Sequence, residues 1–146
     1  MTASTSPLMS SADLQALIAE AEMAKAKEEV ERMTKQERAQ RELHDAFMAQ
    51  DVRPEVAENV MAVVRRAAEQ GQREVEAMRF PSTFLSDGGR AINSFDKEWP
   101  STLEGFAKRG MEWFEANMRP LGYHARAEIV SFPGGMPGDV AIYICW

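Results

Sequence analysis

The segment 123–146 constrains the fold most, because apolar and polar residues alternate along it on both sides of a loop rich in Pro and Gly. In its last part, Val140, Ile142 and Ile144 recur at every second position. An alternation with a period of two is typical of a strand with one buried face. The segment therefore predicts a C-terminal β-hairpin whose apolar face must be covered by another element.

The stretch before the hairpin predicts the helix that covers this face. Ser101–Glu104 matches a capping box, in which two side chains satisfy backbone N–H groups at a helix start. Apolar side chains then recur at steps of three and four residues: Leu103, Phe106, Ala107, Gly110, Trp113, Phe114, Met118 and Leu121. Pro120 and Gly122 end this pattern. We expect a helix over 102–118 that forms the core together with the hairpin.

The segment 73–80 fits two patterns. Its apolar residues alternate with charged ones as in an edge strand, but Val75 and Met78 are also spaced as on a helix that continues from Gly71. We predict a strand, because Gly71 and Pro81 bracket the segment and an isolated hairpin is only marginally stable without a third strand. The alternative is a sheet of two strands.

The N-terminal part of the chain is dominated by a long stretch that favours helix. Residues 10–50 contain neither Gly nor Pro and are rich in Ala, Glu, Lys, Arg and Gln. Charged residues fill the middle of this stretch, and a heptad pattern fails there, so we do not expect a continuous coiled coil. The sequence predicts a disordered tail over 1–9, a long charged helical arm over 10–50 and a compact α+β domain over 51–146.

A second helix follows the arm after a short break. Pro54 stands where prolines are favoured in a first helical turn, and apolar residues keep helical spacing from Val56 to Gly71. Because the break is short, the two helices are expected to form an antiparallel hairpin. The predicted fold class is therefore α+β: a long N-terminal helical hairpin followed by a small antiparallel sheet of two or three strands packed on an amphipathic helix.

The two ends of the arm carry apolar side chains. These are Leu14, Leu17 and Ile18 at one end and Leu43, Phe47 and Met48 at the other. The second helix is shorter than the arm and can cover only part of it. Most helical stability in proteins comes from packing an apolar face, so these ends predict a partner. We expect a homodimer in which two arms pair antiparallel. The alternative is a monomer whose arm frays and is held by propensity and charge pairs alone.

Two loops are candidates for binding. Asp87, Gly88, Gly89 and Arg90 could form an anion-binding turn, in which N–H groups and the Arg90 guanidinium hold a phosphate or carboxylate. The alternative is a structural turn in which Asp87 caps the next helix. The loop Pro133–Asp139 lacks the Gly-Lys-Ser/Thr ending of a phosphate-binding loop and predicts a wide hairpin turn. We assign its exposed Met136 to the interaction surface, together with the apolar ends of the arm.

No catalytic pattern stands out, so we expect a protein that is not an enzyme and that uses neither a metal nor a cofactor. His44 and His124 have no partners at the spacing of a metal site. Cys145 is the only cysteine, which fits a buried structural thiol in a reducing compartment. Met1–Met9 does not resemble a signal peptide, and no apolar run approaches the roughly 18 residues of a membrane span. We therefore expect a cytoplasmic protein that does not enter a membrane.

From Val56 onward, the expected order of helix, strand, short helix, helix, strand, loop and strand resembles the winged-helix arrangement. This resemblance implies a nucleic-acid-binding regulator as one possible function. The formal net charge of −6 argues against that function, because binding to phosphates needs a basic surface. The loop Pro133–Asp139, which would be the wing, also carries no Lys or Arg. We expect a protein-interaction or oligomerisation module. The alternatives are the regulator and a small anion-binding domain that uses Asp87–Arg90.

Overall fold

The computed structural model describes residues 7–146, so residues 1–6 of the predicted disordered tail lie outside the described part of the chain. The described residues form four α-helices and three β-strands: α1 (Ser11–Ala49), α2 (Val56–Glu69), β1 (Glu74–Pro81), α3 (Arg90–Asn93), α4 (Gly105–Asn117), β2 (His124–Ile129) and β3 (Asp139–Cys145). The chain divides into two compact units, of which the first ends at Leu43 and the second is His44–Trp146. The fold is α+β, as predicted from the sequence.

The long helix α1 begins with a reciprocal cap. The Asp13 N–H donates to Ser10 Oγ at 3.1 Å, and the Ser10 N–H donates to Asp13 Oδ2 at 3.3 Å. Each side chain thus satisfies a backbone N–H group that has no partner inside the helix. None of the residues of α1 is buried.

The three strands form one antiparallel sheet in the order β1-β3-β2. The last strand of the chain is therefore the central one, and Val140, Ile142 and Ile144 point into the core from it. The prediction of a third strand over 73–80 is confirmed, with bounds that differ by one residue at each end. The register along β1 shifts between Glu76 and Met78, which is a β-bulge that the alternation did not reveal.

The core of the second unit lies between this sheet and α4. Its buried members are Phe80, Phe84, Leu85, Ile92, Leu103, Ala107, Met111, Phe114, Met118, Val140, Ile142 and Ile144. The helix α2 packs against β1, and its buried residues are Val64 and Ala67. The prediction that the hairpin and the 102–118 helix share a core is thereby confirmed.

The predicted capping box at Ser101–Glu104 is wrong. Trp99–Thr102 forms a separate short 3₁₀ turn, in which Ser101 Oγ donates to the carbonyl oxygen of Glu98 at 2.7 Å. Leu103 then adopts an extended conformation with its side chain buried, and α4 begins only at Gly105. The helix cannot start before Gly105, because the extended Leu103, whose side chain is in the core, cannot take part in the helical hydrogen bonds.

Candidate interaction surface

The last turns of α1 are part of the second unit. The Phe47 ring lies 4.9 Å from the ring of Phe84 and 5.2 Å from that of Phe80, measured between centroids, and Met48 also packs against the core. Such tilted aromatic contacts add to the stabilisation from burying the rings. Phe47 and Met48, which we assigned to an interaction surface from the sequence, thus have partners within their own unit.

The backbone at the end of α1 is held by α4. The Arg109 Nη1 donates to the carbonyl oxygens of Met48 and Gln50, each at 2.8 Å. A cation at this place satisfies carbonyl groups that the helix itself leaves without donors. Gly105 permits the close approach, because a Cβ atom there would lie 2.7 Å from the Met48 Cα. Arg109 and Gly105 therefore have structural roles that the sequence did not indicate.

The other apolar residues assigned to the surface are exposed. Leu14, Leu17 and Ile18 are each about half exposed, and Leu43 is 65% exposed. On an ideal helix of about 3.6 residues per turn, Leu43 returns to within roughly 20° of Leu14 around the axis. The two apolar ends of the first unit therefore lie on one side of the helix, and we call this side the arm face.

The middle of the arm face is charged. Lys25, Glu29 and Arg32 lie between the apolar ends on the same side of the helix, given the same helical spacing. Glu29 and Arg32 form an ion pair with each other. Met23 and Val30, which are also exposed, point away from this side. The arm face is thus apolar at both ends and charged between them.

Met136, the remaining residue assigned to the interaction surface, lies in the loop between β2 and β3 and is 68% exposed. This loop is held by Ser131, whose Oγ accepts the Asp139 N–H at 2.8 Å and whose carbonyl oxygen accepts the Gly138 N–H at 2.8 Å. Met136 is therefore exposed on a loop whose two ends are joined by these hydrogen bonds.

In the candidate anion-binding loop, Asp87 itself occupies two of the N–H groups. Its Oδ1 accepts the Gly89 N–H at 2.9 Å, and its Oδ2 accepts the Ala91 N–H at 2.8 Å. Gly88 and Gly89 both have positive φ, as the turn requires, and Arg90 is exposed. An anion would have to displace the Asp87 carboxylate from these N–H groups, so this geometry favours the structural turn. Anion binding at Asp87–Arg90 stays a prediction.

The outer face of the sheet, opposite the core, carries a polar network that sequence reasoning missed. The Arg126 guanidinium donates to both oxygens of Glu74 at 2.7 Å and to Glu128 Oε2 at 3.0 Å. It also stacks on the Tyr143 ring, with 4.0 Å between Arg126 Cζ and the ring centroid. Tyr143 in turn donates to Glu128 Oε1 at 3.1 Å. Residues 74 and 126 are 52 positions apart, so only the strand order brings them together.

This network affects the ionisation of its members. The hydrogen bonds from Arg126 lower the pKa of Glu74. Burial, together with the negative charge of Glu74, raises the pKa of Cys145, whose thiol lies 3.7 Å from Glu74 Oε2. A raised pKa disfavours the thiolate, which is the nucleophilic form of cysteine. Cys145 thus has the surroundings of a structural thiol.

In the described part of the chain, no group of three or more His, Cys, Asp or Glu residues is placed to hold a metal ion. None of the helices over residues 7–146 combines the length and apolar character that crossing a membrane requires. Comparison of the chain with known proteins gives no match among protein-family models, curated proteins or solved structures.

Proposed function

We propose that this protein is a non-enzymatic interaction module that self-associates through the arm face of α1. The observation that carries the proposal is that α1 contains no buried residue, although Leu14, Leu17, Ile18 and Leu43 place apolar side chains on one side of it. A long helix gains most of its stability from packing such a face. A second copy of the chain supplies an equivalent face.

The distribution of charge supports an antiparallel pair. Residues 18–29 carry Glu20, Glu22, Glu28 and Glu29 against Lys25 and Lys27, whereas 32–43 carries Arg32, Lys35, Arg38 and Arg41 against Glu37 and Glu42. Antiparallel pairing places the acidic segment of one copy beside the basic segment of the other. Parallel pairing would place like charges side by side, which is destabilising.

One register pairs an apolar and a charged position of the arm face at the same time. If Ile18 of one copy lies opposite Leu43 of the other, counting along the two antiparallel helices also places Glu29 opposite Arg32. The charged middle would then form two ion pairs between the copies, related by symmetry. Exposed pairs of this kind contribute little stability but select the orientation.

The winged-helix alternative has weaker support from the surface charges. Two of the cations on or beside α4 are already engaged: Arg109 holds the end of α1, and Arg119 pairs with Glu115. The loop between β2 and β3 carries no Lys or Arg. Binding to phosphates depends on free cations. Sub-micromolar binding of random duplex DNA that weakens steeply with salt, measured by fluorescence anisotropy, would favour the regulator instead.

Light scattering of the full chain over a range of concentrations tests the proposal. We expect a dimer, and we expect Leu14→Gln together with Ile18→Gln to shift it to monomer, because glutamine keeps helix propensity but removes the apolar contact. Leu121→Gln is the matched control, since Leu121 is exposed on the second unit. A full chain that remains monomeric at high micromolar concentration contradicts the proposal.

Cross-linking tests the orientation separately. In a Cys145→Ser background, Ala21→Cys and Gln40→Cys are made in separate chains and mixed. In the register above these two positions are opposite each other, so we expect a disulfide between the two different variants. Disulfides that form only within each variant would indicate parallel pairing.

A further inference from the structure

The second unit contains a cavity of about 110 Å³ between α2, α4 and the core face of the sheet. All the described residues that line it are of apolar types, and none carries a charge. Among the described lining residues, Trp113 alone carries a side-chain N–H group. The cavity is separate from the arm face, so its role does not depend on the proposed self-association.

Small residues on three elements leave this space open. Ala77 on β1, Ala125 on β2 and Gly110 on α4 all line the cavity. At Gly110 there is little room to spare, because a Cβ atom would lie 3.1 Å from the Met78 Cε. Ala125 contributes only a methyl group to the cavity wall. The space thus results from residue size at particular positions on the sheet.

The cavity is open to solvent at its rim. Its inner wall includes Ala107 and Ile142, which are 1% and 4% exposed. Its rim includes Val60, Phe106 and Trp113, which are only partly buried, and Ala77, which is exposed. A small molecule can therefore enter at this rim without unfolding of the sheet.

The lining and the size together define the class of ligand. Burying a charge or an unpaired polar group among apolar side chains is unfavourable, so a charged ligand is excluded. An apolar cavity of about 150 Å³ in a protein stays dry and admits benzene, which sets the scale for this slightly smaller one. We propose that this cavity binds a small, uncharged, apolar molecule about the size of a single aromatic ring.

Toluene and benzoate are the two probes that test this proposal with the full chain. They have similar ring sizes, but only benzoate is charged. We expect toluene to raise the melting temperature in a saturable way and to shift the methyl NMR signals of Val60, Met78 and Met111, which line the cavity. We expect benzoate to do neither. Equal effects of the two probes would overturn the assigned ligand class.

Filling the cavity tests the location. Ala125→Ile places a branched side chain in the open volume, and we expect it to weaken toluene binding at least about tenfold, the effect of losing the matching space. Ala127→Ile is the matched control, because Ala127 is on the same strand and packs against the core but does not line the cavity. Toluene should still bind this control.

A second cavity variant is needed in case Ala125→Ile does not fold. Ala77→Val adds bulk at the exposed β1 edge of the cavity, where we expect it to hinder entry of toluene, and circular dichroism reports whether each variant is folded. The effect of toluene is measured as the change in melting temperature of each variant with and without toluene, so a change in the variant's own stability does not obscure it. No saturable effect on the wild-type chain, or undiminished binding to both filled variants, would overturn the proposal.

Discussion

At the scale of single residues, Phe95 combines a strained backbone with an exposed ring. Its φ is +58°, and it is 88% exposed. The Phe95 N–H donates to Ile92 O at 3.2 Å and the Asp96 N–H donates to Ala91 O at 2.9 Å, so Phe95 takes the left-handed position of a Schellman motif after α3. Glycine is favoured there, because other residues lose stability in this conformation.

We predict that Phe95→Gly increases the free energy of unfolding. The left-handed conformation costs a residue other than glycine roughly 1–2 kcal/mol, and the greater freedom of glycine in the unfolded chain offsets part of that gain, leaving up to about 1 kcal/mol. Urea denaturation measures the change.

Phe132→Gly is the control for this prediction. Phe132 is also largely exposed, but its φ is −135°, which any residue adopts. We expect this substitution to give no gain in stability. If Phe95→Gly destabilised the protein as much as Phe132→Gly does, the ring of Phe95 would have to make contacts that outweigh its strain.

At the scale of elements, the two adjacent aromatic residues of α4 differ in burial. Phe114 is 4% exposed and belongs to the core, whereas Trp113 is only partly buried and lies at the rim of the cavity. Helical spacing from the sequence places both on the apolar side and does not distinguish them. We therefore expect Phe114 to contribute more to the free energy of unfolding than Trp113, a difference that the sequence did not indicate.

We predict that Phe114→Ala lowers the free energy of unfolding by about 3–5 kcal/mol, the usual cost of removing a buried aromatic ring. Trp113→Ala should cost less, because part of its ring is in water in the folded protein. Chemical denaturation of both variants measures the difference. An equal or larger loss for Trp113→Ala would contradict the packing of α4 described above.

How much of each element could be predicted depends on how local its signal is. The alternation of β3 and the helical spacing of α4 are present within a few residues, and both elements were predicted. The bulge near Ala77 and the pairing of Glu74 with Arg126 depend on strand register, which distant residues set. The cavity depends on the shapes of three elements at once, so no pattern along the chain indicates it.

At the scale of the whole molecule, the stability should depend on pH through paired carboxylates. Hydrogen bonds from Arg126 lower the pKa of Glu74, and those from Arg119 lower the pKa of Glu115, each from an ordinary value of 4.5. A carboxylate whose pKa is lowered by folding stabilises the folded state at pH above its unfolded value. That contribution is lost as the pH falls below 4.5 and through the folded pKa.

We predict that the free energy of unfolding declines below about pH 4.5 and that Glu74→Gln makes this decline shallower. Urea denaturation at a series of pH values measures the slope. Glu112→Gln is the control, because it removes an exposed carboxylate that has no hydrogen bond or ion pair among the described residues. If both variants changed the slope equally, the pairing with Arg126 would not be the cause.

The order of the strands has a consequence for how the protein is made. A ribosome produces β1 and β2 before β3, yet β3 is the strand to which both of them bond. Until residues 139–145 emerge, β1 has unpaired backbone groups along its length, and core-facing side chains such as Phe80 lack the strand that they pack beside. Nascent chains in this state are prone to aggregation. The second unit must therefore complete its folding after translation of β3, and shortened products that lack this strand should be left for chaperones or proteases.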